Sequence, residues 1–529
     1  MYYFSYLYLP VFLGLTVLAY FFTPIKKRWV VLLIASLIFY LYNVRNLSVY
    51  ILVTAVSIYI AALWLDKIDA CAALARKHLL PDERAWYKDV SLWQKKAVIA
   101  LLVLIDFGLL AWMKYSGFGA DSADHLLKLM HMDPRLPSWS LGLPLGISFY
   151  TLQAVSYVVD VYRGKAKANQ NFGQVLLFVC FFPQIVEGPI GRYDHLAPQL
   201  YEGHRFDYRN FTGGLQLILW GLLKKIVIAD RAYILVNQVF SHDRQYSGAG
   251  VVLAILLYTL ELYADFSGCI DVATGSAQIM GIHMAQNFRR PFFSKSVNEF
   301  WRRWHITLGA WLRDYIFYPV SLSKPLMKFS RFIRRKHNTH FGKWILAGSS
   351  LFFVWLGNGL WHGAGWKYLV YGMYYYVLMM MGMLLEPVFR KMFATLHLNR
   401  EGVPHRLFQV ARTFVLVNIG MLIFRAASLR SAAVLFLSMF RGPYISAITK
   451  GSLLKLGLSI QDLLVLGAGA LVLFVVGLLQ ERGISLREKV GRWPLPARWS
   501  VYLAAIFVLV IFGAYGSGYV PVDPIYAKF

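Results

Sequence analysis

The chain has 529 residues, of which 58% are hydrophobic, 16% aromatic and only 15% charged, with a mean hydropathy of +0.51. That composition excludes an ordinary soluble domain and indicates an all-α polytopic membrane protein, with the bilayer as its solvent. A formal net charge of +27 would suit a nucleic-acid binder, but in a membrane chain excess Lys and Arg mark cytoplasmic loops, so no nucleic-acid partner is expected.

Apolar runs follow one another in chain order: Leu7 to Phe22, Trp29 to Tyr42, Leu47 to Leu65, Ala97 to Met113, Leu143 to Val159, Val175 to Val186, Leu215 to Ile228, Val251 to Leu262, Ile345 to Leu360, Leu369 to Leu385, Phe408 to Phe424, Leu463 to Leu479 and Val501 to Gly513. A span takes about 17–25 apolar residues, so the shorter runs are expected to be tilted, broken, re-entrant or buried. One continuous unit over 1–529 with roughly 11–13 membrane-embedded helices is expected. The first run follows Met1 without a basic n-region or a small-residue cleavage site and reads as a retained helix.

The distribution of charge sets an expected topology. Lys26, Lys27 and Arg28 separate the first two runs, and the Asp66 to Lys96 segment carries Lys67, Arg76, Lys77, Arg84, Lys88, Lys95 and Lys96. Both read as cytoplasmic loops, which puts the N-terminus outside. Lys114 to Ser140 balances its charges and reads as an outer loop. Lys324 to Lys343, without one acid, and Glu481 to Arg498 read as further cytoplasmic loops, and the last run carries the C-terminus outward.

Several classes are excluded. No fixed-period repeat or low-complexity linker is visible. The Gly248–Gly250 and Gly357–Gly359 pairs lack the strand, lysine or acid of a nucleotide-binding loop. Cys71, Cys180 and Cys269 are too scattered for a disulfide framework or a metal site, so packing is their expected role and no metal or bound cofactor is expected.

Two segments stand apart. In "FWRRWHITLGAWLRDYIFYP", Phe300 to Pro319, helical spacing puts Trp301, Trp304, His305, Leu308, Trp311, Leu312 and Tyr315 on one face and Arg302, Gly309 and Arg313 on the other. Such an amphipathic helix belongs at an interface or inside the protein, with Arg302, Arg303 and Arg313 facing water, headgroups or an anionic ligand. His305 on the aromatic side is either a structural histidine or a functional one. In "WLGNGLWHGAGWKYLVYG", Trp355 to Gly372, four glycines surround His362 and oppose a continuous helix. Irregular backbone at membrane depth requires protein cover or a wet cavity, which makes His362 a functional candidate.

With both histidines noted, "NFRRPFFSKSVNEFWRRWHITLGAWLRDYIF" and "GLWHGAGWKYLVYG" resemble the signature of the membrane-bound O-acyltransferase superfamily. "LPLGISFYTLQAVSYVVDVYRGK", "FFPQIVEGPIGRY" and "YADFSGCIDVATGSAQIMGI" resemble its bacterial polysaccharide branch, which includes alginate O-acetylases and teichoic acid D-alanyltransferases. The resemblance covers 143–371 as a signature core. It implies a ring of tilted helices around a thin central core with an outer funnel, in the bacterial cytoplasmic membrane.

The same resemblance implies a cytoplasmic thioester donor, acetyl-CoA or an acyl carrier protein, and an extracytoplasmic hydroxyl acceptor on a cell-envelope polysaccharide. His362 becomes the general base at the waist, and His305 the second family histidine. Asp265, Asn287, Arg302, Arg303 and Arg313 become donor- or substrate-binding candidates. The front half favours acetyl over D-alanyl transfer, and the acceptor stays open. A competing reading is a lipid or sugar flippase, although only one broken site and no repeated halves are seen. The ending "GYVPVDPIYAKF", 518–529, resembles the aromatic C-terminal motif of small partners in teichoic acid D-alanylation, with Pro524 replacing the first aromatic residue. That implies Tyr526 as an acyl relay to a serine-hydrolase-like (SGNH) partner outside; the alternative is an ordinary frayed terminus.

Overall fold

The computed structural model describes residues 3–5, 7–132, 142–336, 339–397, 399–442, 444, 456–515 and 522–523. Among these, every regular element is a helix. Ten helices are long and apolar enough to cross a membrane, and Leu7–Phe22 and Leu429–Ser438 are shorter apolar helices. The protein is therefore a multi-pass, all-α membrane protein, and apolar side chains exposed along these helices are the surface that lipid would cover.

The chain forms two compact units. The first comprises Met1–Ile218 and Ile270–Ala285. Its N-terminal tyrosines are anchors: the Tyr3 hydroxyl donates to the Phe182 carbonyl at 2.9 Å, and the Tyr8 hydroxyl to Ser276 Oγ at 3.1 Å. Arg28 is buried rather than displayed in a loop. It donates to the carbonyls of Phe21 and Thr23, orphan acceptors where the Leu7–Phe22 helix ends, and to that of His204.

The basic Asp66 to Lys96 segment is helical, contrary to the expected loop. Val49–His78 runs 30 residues and Pro81–Leu129 runs 49, so at 1.5 Å per residue the longer one spans about 74 Å, against a hydrocarbon core of about 30 Å. No Gly or Pro interrupts the sequence from Asp66 to His78, and Pro81 opens the next helix at a position where its missing N–H costs nothing. Lys95 and Asp69, 2.8 Å apart, tie the two extensions together. Cys71 lies exposed on this part, whereas Cys180 and Cys269 are buried as packing residues.

The Val175 to Val186 run is not one span. A helix, Phe172–Cys180, ends in an irregular stretch through Gly191 that is buried throughout. Gly146, at φ 73°, allows the close approach here, since a Cβ would overlap the Ile185 carbonyl.

The second unit comprises Leu219–Cys269 and Gln286–Ile525. Within the long Tyr208–Ser241 helix, Leu223–Ala229 winds as a π turn and buries Lys224 and Lys225. The expected basic loop from Lys324 is another helix, Lys324–Lys336, with Lys328, Arg331, Phe329 and Phe332 exposed. Of the four glycines around His362, Gly363 and Gly365 lie where the chain breaks, as expected, whereas Gly357 and Gly359 do not interrupt their helix. Thr339–His362 continues through Gly357 and Gly359, and the break falls at 363–365. Gly359 and Gly372 are contact points between this helix and the next, Trp366–Thr395: a Cβ on Gly359 would lie 2.6 Å from the Tyr368 carbonyl, and one on Gly372 would overlap the Trp355 carbonyl. The same residue type that weakens a helix lets two helices pack closely.

Candidate functional site

The Phe300–Pro319 segment keeps the expected faces without being one helix. Ser296 caps Val297–Arg303, the chain turns at Trp304 and His305, and a second helix covers Ile306–Leu312. His305 itself makes the turn, at φ 46° and ψ 53°. Trp304, His305, Leu308, Trp311 and Leu312 are buried, while Arg302, Gly309 and Arg313 are exposed.

Asn287 holds this turn. Its backbone carbonyl accepts from Ile306 N at 2.9 Å, and its Oδ1 accepts from Thr307 N at 3.1 Å and from the Thr307 hydroxyl at 2.9 Å. The N–H of Thr307 requires an acceptor, so that atom is the amide oxygen. His305 Nδ1, 3.2 Å from it, therefore donates, and Nε2 is the basic nitrogen of the ring. Asn287 is thus a positioning residue for His305.

The two histidines belong to one aromatic cluster. The His305 ring meets Phe266 at 4.8 Å and Trp361 at 5.7 Å, and the opposite neighbour of Trp361 is His362, at 4.9 Å. His362 also packs edge-on against Phe424 at 5.0 Å and Tyr371 at 5.7 Å. Both imidazoles are almost fully enclosed, with 2% and 3% exposure. Trp361, Tyr371 and Phe424 come from three different helices and were not singled out in the sequence; aromatic residues are too common in this chain for any one to carry a signal.

Burial pushes the His305 imidazole down to about 3. The native ring is then neutral while the unfolded ring, near 6.5, binds a proton. Stability should fall as pH drops through the window from about 6.5 toward 3, by up to about 1.4 kcal/mol per pH unit from this residue. Unfolding of detergent-solubilised protein at pH 7.5 and pH 5 should show a smaller loss for His305→Gln than for wild type. Equal losses would contradict a buried neutral ring.

The remaining sequence candidates have different surroundings. Asp265 is 1% exposed and bonds Lys225 Nζ at 2.6 Å, and Lys225 also holds Asp230 at 2.8 Å. Lys224 donates to Ser267 Oγ at 2.8 Å. Asp265 precedes Phe266, so this buried ion cluster supports the wall of His305. Lys224 and Lys225 had a readable signal, since two adjacent lysines inside an apolar run are intramembrane ionisable groups. Arg303 bridges Glu299 at 2.6 Å and Glu481 at 3.0 Å, which holds its charge firmly on. Arg313 pairs with its neighbour Asp314 at 3.0 Å, and Arg302 is exposed. None of the three arginines hydrogen-bonds to either histidine. Tyr526 lies outside the described residues.

Fold and site together define a polytopic, all-α membrane protein with two enclosed histidines sharing a tryptophan. The sequence model of the membrane-bound O-acyltransferase family, MBOAT, matches residues 166–333, which include His305. The probable alginate O-acetylase AlgI of Pseudomonas putida is 33% identical over 440 residues, 83% of this chain and 79% of that protein. The peptidoglycan O-acetyltransferase of Helicobacter pylori is 29% identical, covering 81% of this chain and 77% of its own. The teichoic acid D-alanyltransferase of Bacillus subtilis is 33% identical over 47% of this chain and 62% of its own. The chain belongs to the membrane-bound O-acyltransferase family and is an O-acyltransferase, which sets aside a flippase without acyl chemistry.

Proposed function

We propose that this enzyme moves an acyl group, acetyl in the first instance, from a cytoplasmic thioester to a hydroxyl outside the bacterial cytoplasmic membrane, for O-acylation of a cell-envelope polysaccharide. The observation that carries this reading is the enclosed pair His305–Trp361–His362. A ring at 3% exposure is shielded from bulk water, which would otherwise hydrolyse the thioester. His362 takes the proton of the acceptor hydroxyl as its oxygen bonds to the thioester carbon. The tetrahedral intermediate then expels the thiolate, which recovers the proton from the imidazolium, so the products are an ester and a thiol. His305, fixed by Asn287, orients the donor or the waist around it.

Acetyl is favoured over D-alanyl because the O-acetylases align with over four-fifths of the chain and the D-alanyltransferases with under half. The donor is acetyl-CoA or an acyl carrier protein, and the partner outside is a serine-hydrolase-like protein. Incubating the purified chain with radiolabelled acetyl-CoA, and separately with a D-alanyl carrier protein, should load label from the first alone. Label from the second alone would reverse the donor assignment.

In this scheme Tyr526 is an acyl relay. A phenol, with a pKa near 10, leaves more readily than a sugar hydroxyl, so its ester remains transferable. Tyr526→Phe removes one oxygen and should abolish polymer acylation with membrane insertion unchanged. Intact-mass analysis of the C-terminal peptide should find an acyl adduct in wild type. Normal polymer acylation by Tyr526→Phe would eliminate the relay.

A further inference from the structure

The Lys324–Lys336 helix carries charged and aromatic surface that the acyl-transfer chemistry does not use. At about 100° per residue, Lys324, Lys328, Arg331 and Arg335 fall within an arc of about 60°, and all of them are exposed. Phe329 and Phe332 occupy the next arc, at 51% and 57% exposure. Leu326, Met327, Ser330 and Ile333 make the third face, which is turned to protein: Ser330 is buried, and its hydroxyl donates to the Gly342 carbonyl at 2.8 Å. Gly342 belongs to the Thr339–His362 helix, and a Cβ there would overlap the stem of Arg334, so the two helices touch at this point.

The basic face is not neutralised within the protein. No Asp or Glu occurs between Asp314 and Glu386. Among the described residues none of the stripe's cations has a carboxylate within ion-pair distance, and Arg331 Nε lies back on its own helix, 3.3 Å from the Met327 carbonyl. A merely solvated charge run would leave two adjacent phenylalanines in water, where their area costs free energy. The boundary layer of a bilayer meets both demands, because the rings enter the acyl region while the cations, centred about 100° further round the helix, meet the lipid phosphates. Lipid is also at hand: the next helix contains the membrane span Trp344–His362. The charge pattern reads this stretch as cytoplasmic, and the cytoplasmic leaflet carries the anionic lipid.

We propose that the Lys324–Lys336 helix is an interfacial anchor that binds anionic phospholipid, with Phe329 and Phe332 in the acyl boundary and Lys324, Lys328, Arg331 and Arg335 on the phosphates. The inference is independent of the acyl-transfer reading. Through the Ser330–Gly342 contact, bound lipid also steadies the start of the helix that ends at His362.

The full chain in nanodiscs tests this without relying on turnover. Bimane attached to Phe329→Cys, in a Cys71→Ser background because the other two cysteines are buried, reports the surroundings of the aromatic face. The quencher is a nitroxide high on the acyl chain of phosphatidylglycerol or, at equal mole fraction, of phosphatidylcholine. Both lipids should quench, phosphatidylglycerol at least about threefold more strongly, with the difference reduced at high salt. Lys328→Gln/Arg331→Gln/Arg335→Gln should keep the quenching and lose the preference. Its unfolding midpoint in neutral detergent should match wild type, since these side chains lie off the Gly342 face, whereas added phosphatidylglycerol should raise the midpoint of wild type and not that of the triple variant. Absence of quenching by either lipid would put the helix outside the bilayer and overturn the proposal; protection of the bimane by an acidic acyl carrier protein would then assign the face to a protein. Equal quenching by the two lipids in wild type, or a preference that the triple variant keeps, overturns the phosphate contacts.

Discussion

His362→Gln should lower acyl transfer by about 10²–10⁴-fold, the usual contribution of a general base, while the protein stays inserted and folded. Glutamine is the informative replacement because His362 packs against three aromatic rings. Alanine would open a cavity there and mix a stability loss into the result. Transfer should fall in kcat and kcat/KM alike, as for a group that acts only in the transition state. Thermal unfolding in detergent, run beside the acyl-transfer assay, separates the two effects. Full activity in a stable His362→Gln protein would remove the assignment. Replacing His305 should cost both activity and stability, because its ring also closes the turn held by Asn287.

The second large effect concerns Lys225. Replacing it by methionine strands Asp230 and Asp265, both bonded to it in a buried setting. Breaking a buried ion cluster by removing one partner costs about 3–5 kcal/mol, since the charges left behind have lost their compensation. Lys225→Met should therefore show a sharply lower midpoint in thermal unfolding, and activity should fall with the folded fraction. Adding Asp230→Asn and Asp265→Asn should recover much of the loss, because the stranded charges are gone. No recovery in the triple variant would mean that Asp265 does more than answer Lys225, as the substrate-binding reading of that residue requires.

The helices themselves were legible where hydropathy alone decides. Trp29 to Tyr42 and Leu463 to Leu479 became Ile25–Val44 and Ile460–Glu481 with only their ends extended. Charge concealed helices in other places. Asp66 to Lys96 and Lys324 to Lys336 are as helical as the apolar spans, since bilayer solvation limits where charge can sit and not whether the backbone coils. Of the glycines near His362, Gly363 and Gly365 did mark the break, and the others misled for the opposite reason. Helix propensity counts Gly359 as a breaker, whereas it is required by a neighbouring helix that a one-dimensional reading does not contain.

The site was legible in its histidines and not in its surroundings. His305 and His362 stood out because ionisable groups are rare in apolar sequence. Asn287 was reached through the resemblance, and its bonds to His305 and Thr307 cross 18 and 20 residues. The arginines attracted attention by their number, yet Arg303 is occupied by Glu299 and Glu481, the latter 178 residues away.

The π turn at Leu223–Ala229 makes one stretch of this gene intolerant of changes in length. A π turn holds one more residue than an α turn, and each residue rotates a helix by about 100°. Loss of a single codon there would let the turn relax to α geometry, keeping the helix on either side in register while the residues inside the turn are re-spaced around the axis by up to that angle. Lys225 sits inside the turn and Asp230 just after it, so the two would no longer face Asp265 together. Divergence in this stretch should therefore proceed by substitution, with its residue count preserved wherever the lysine and both aspartates are kept.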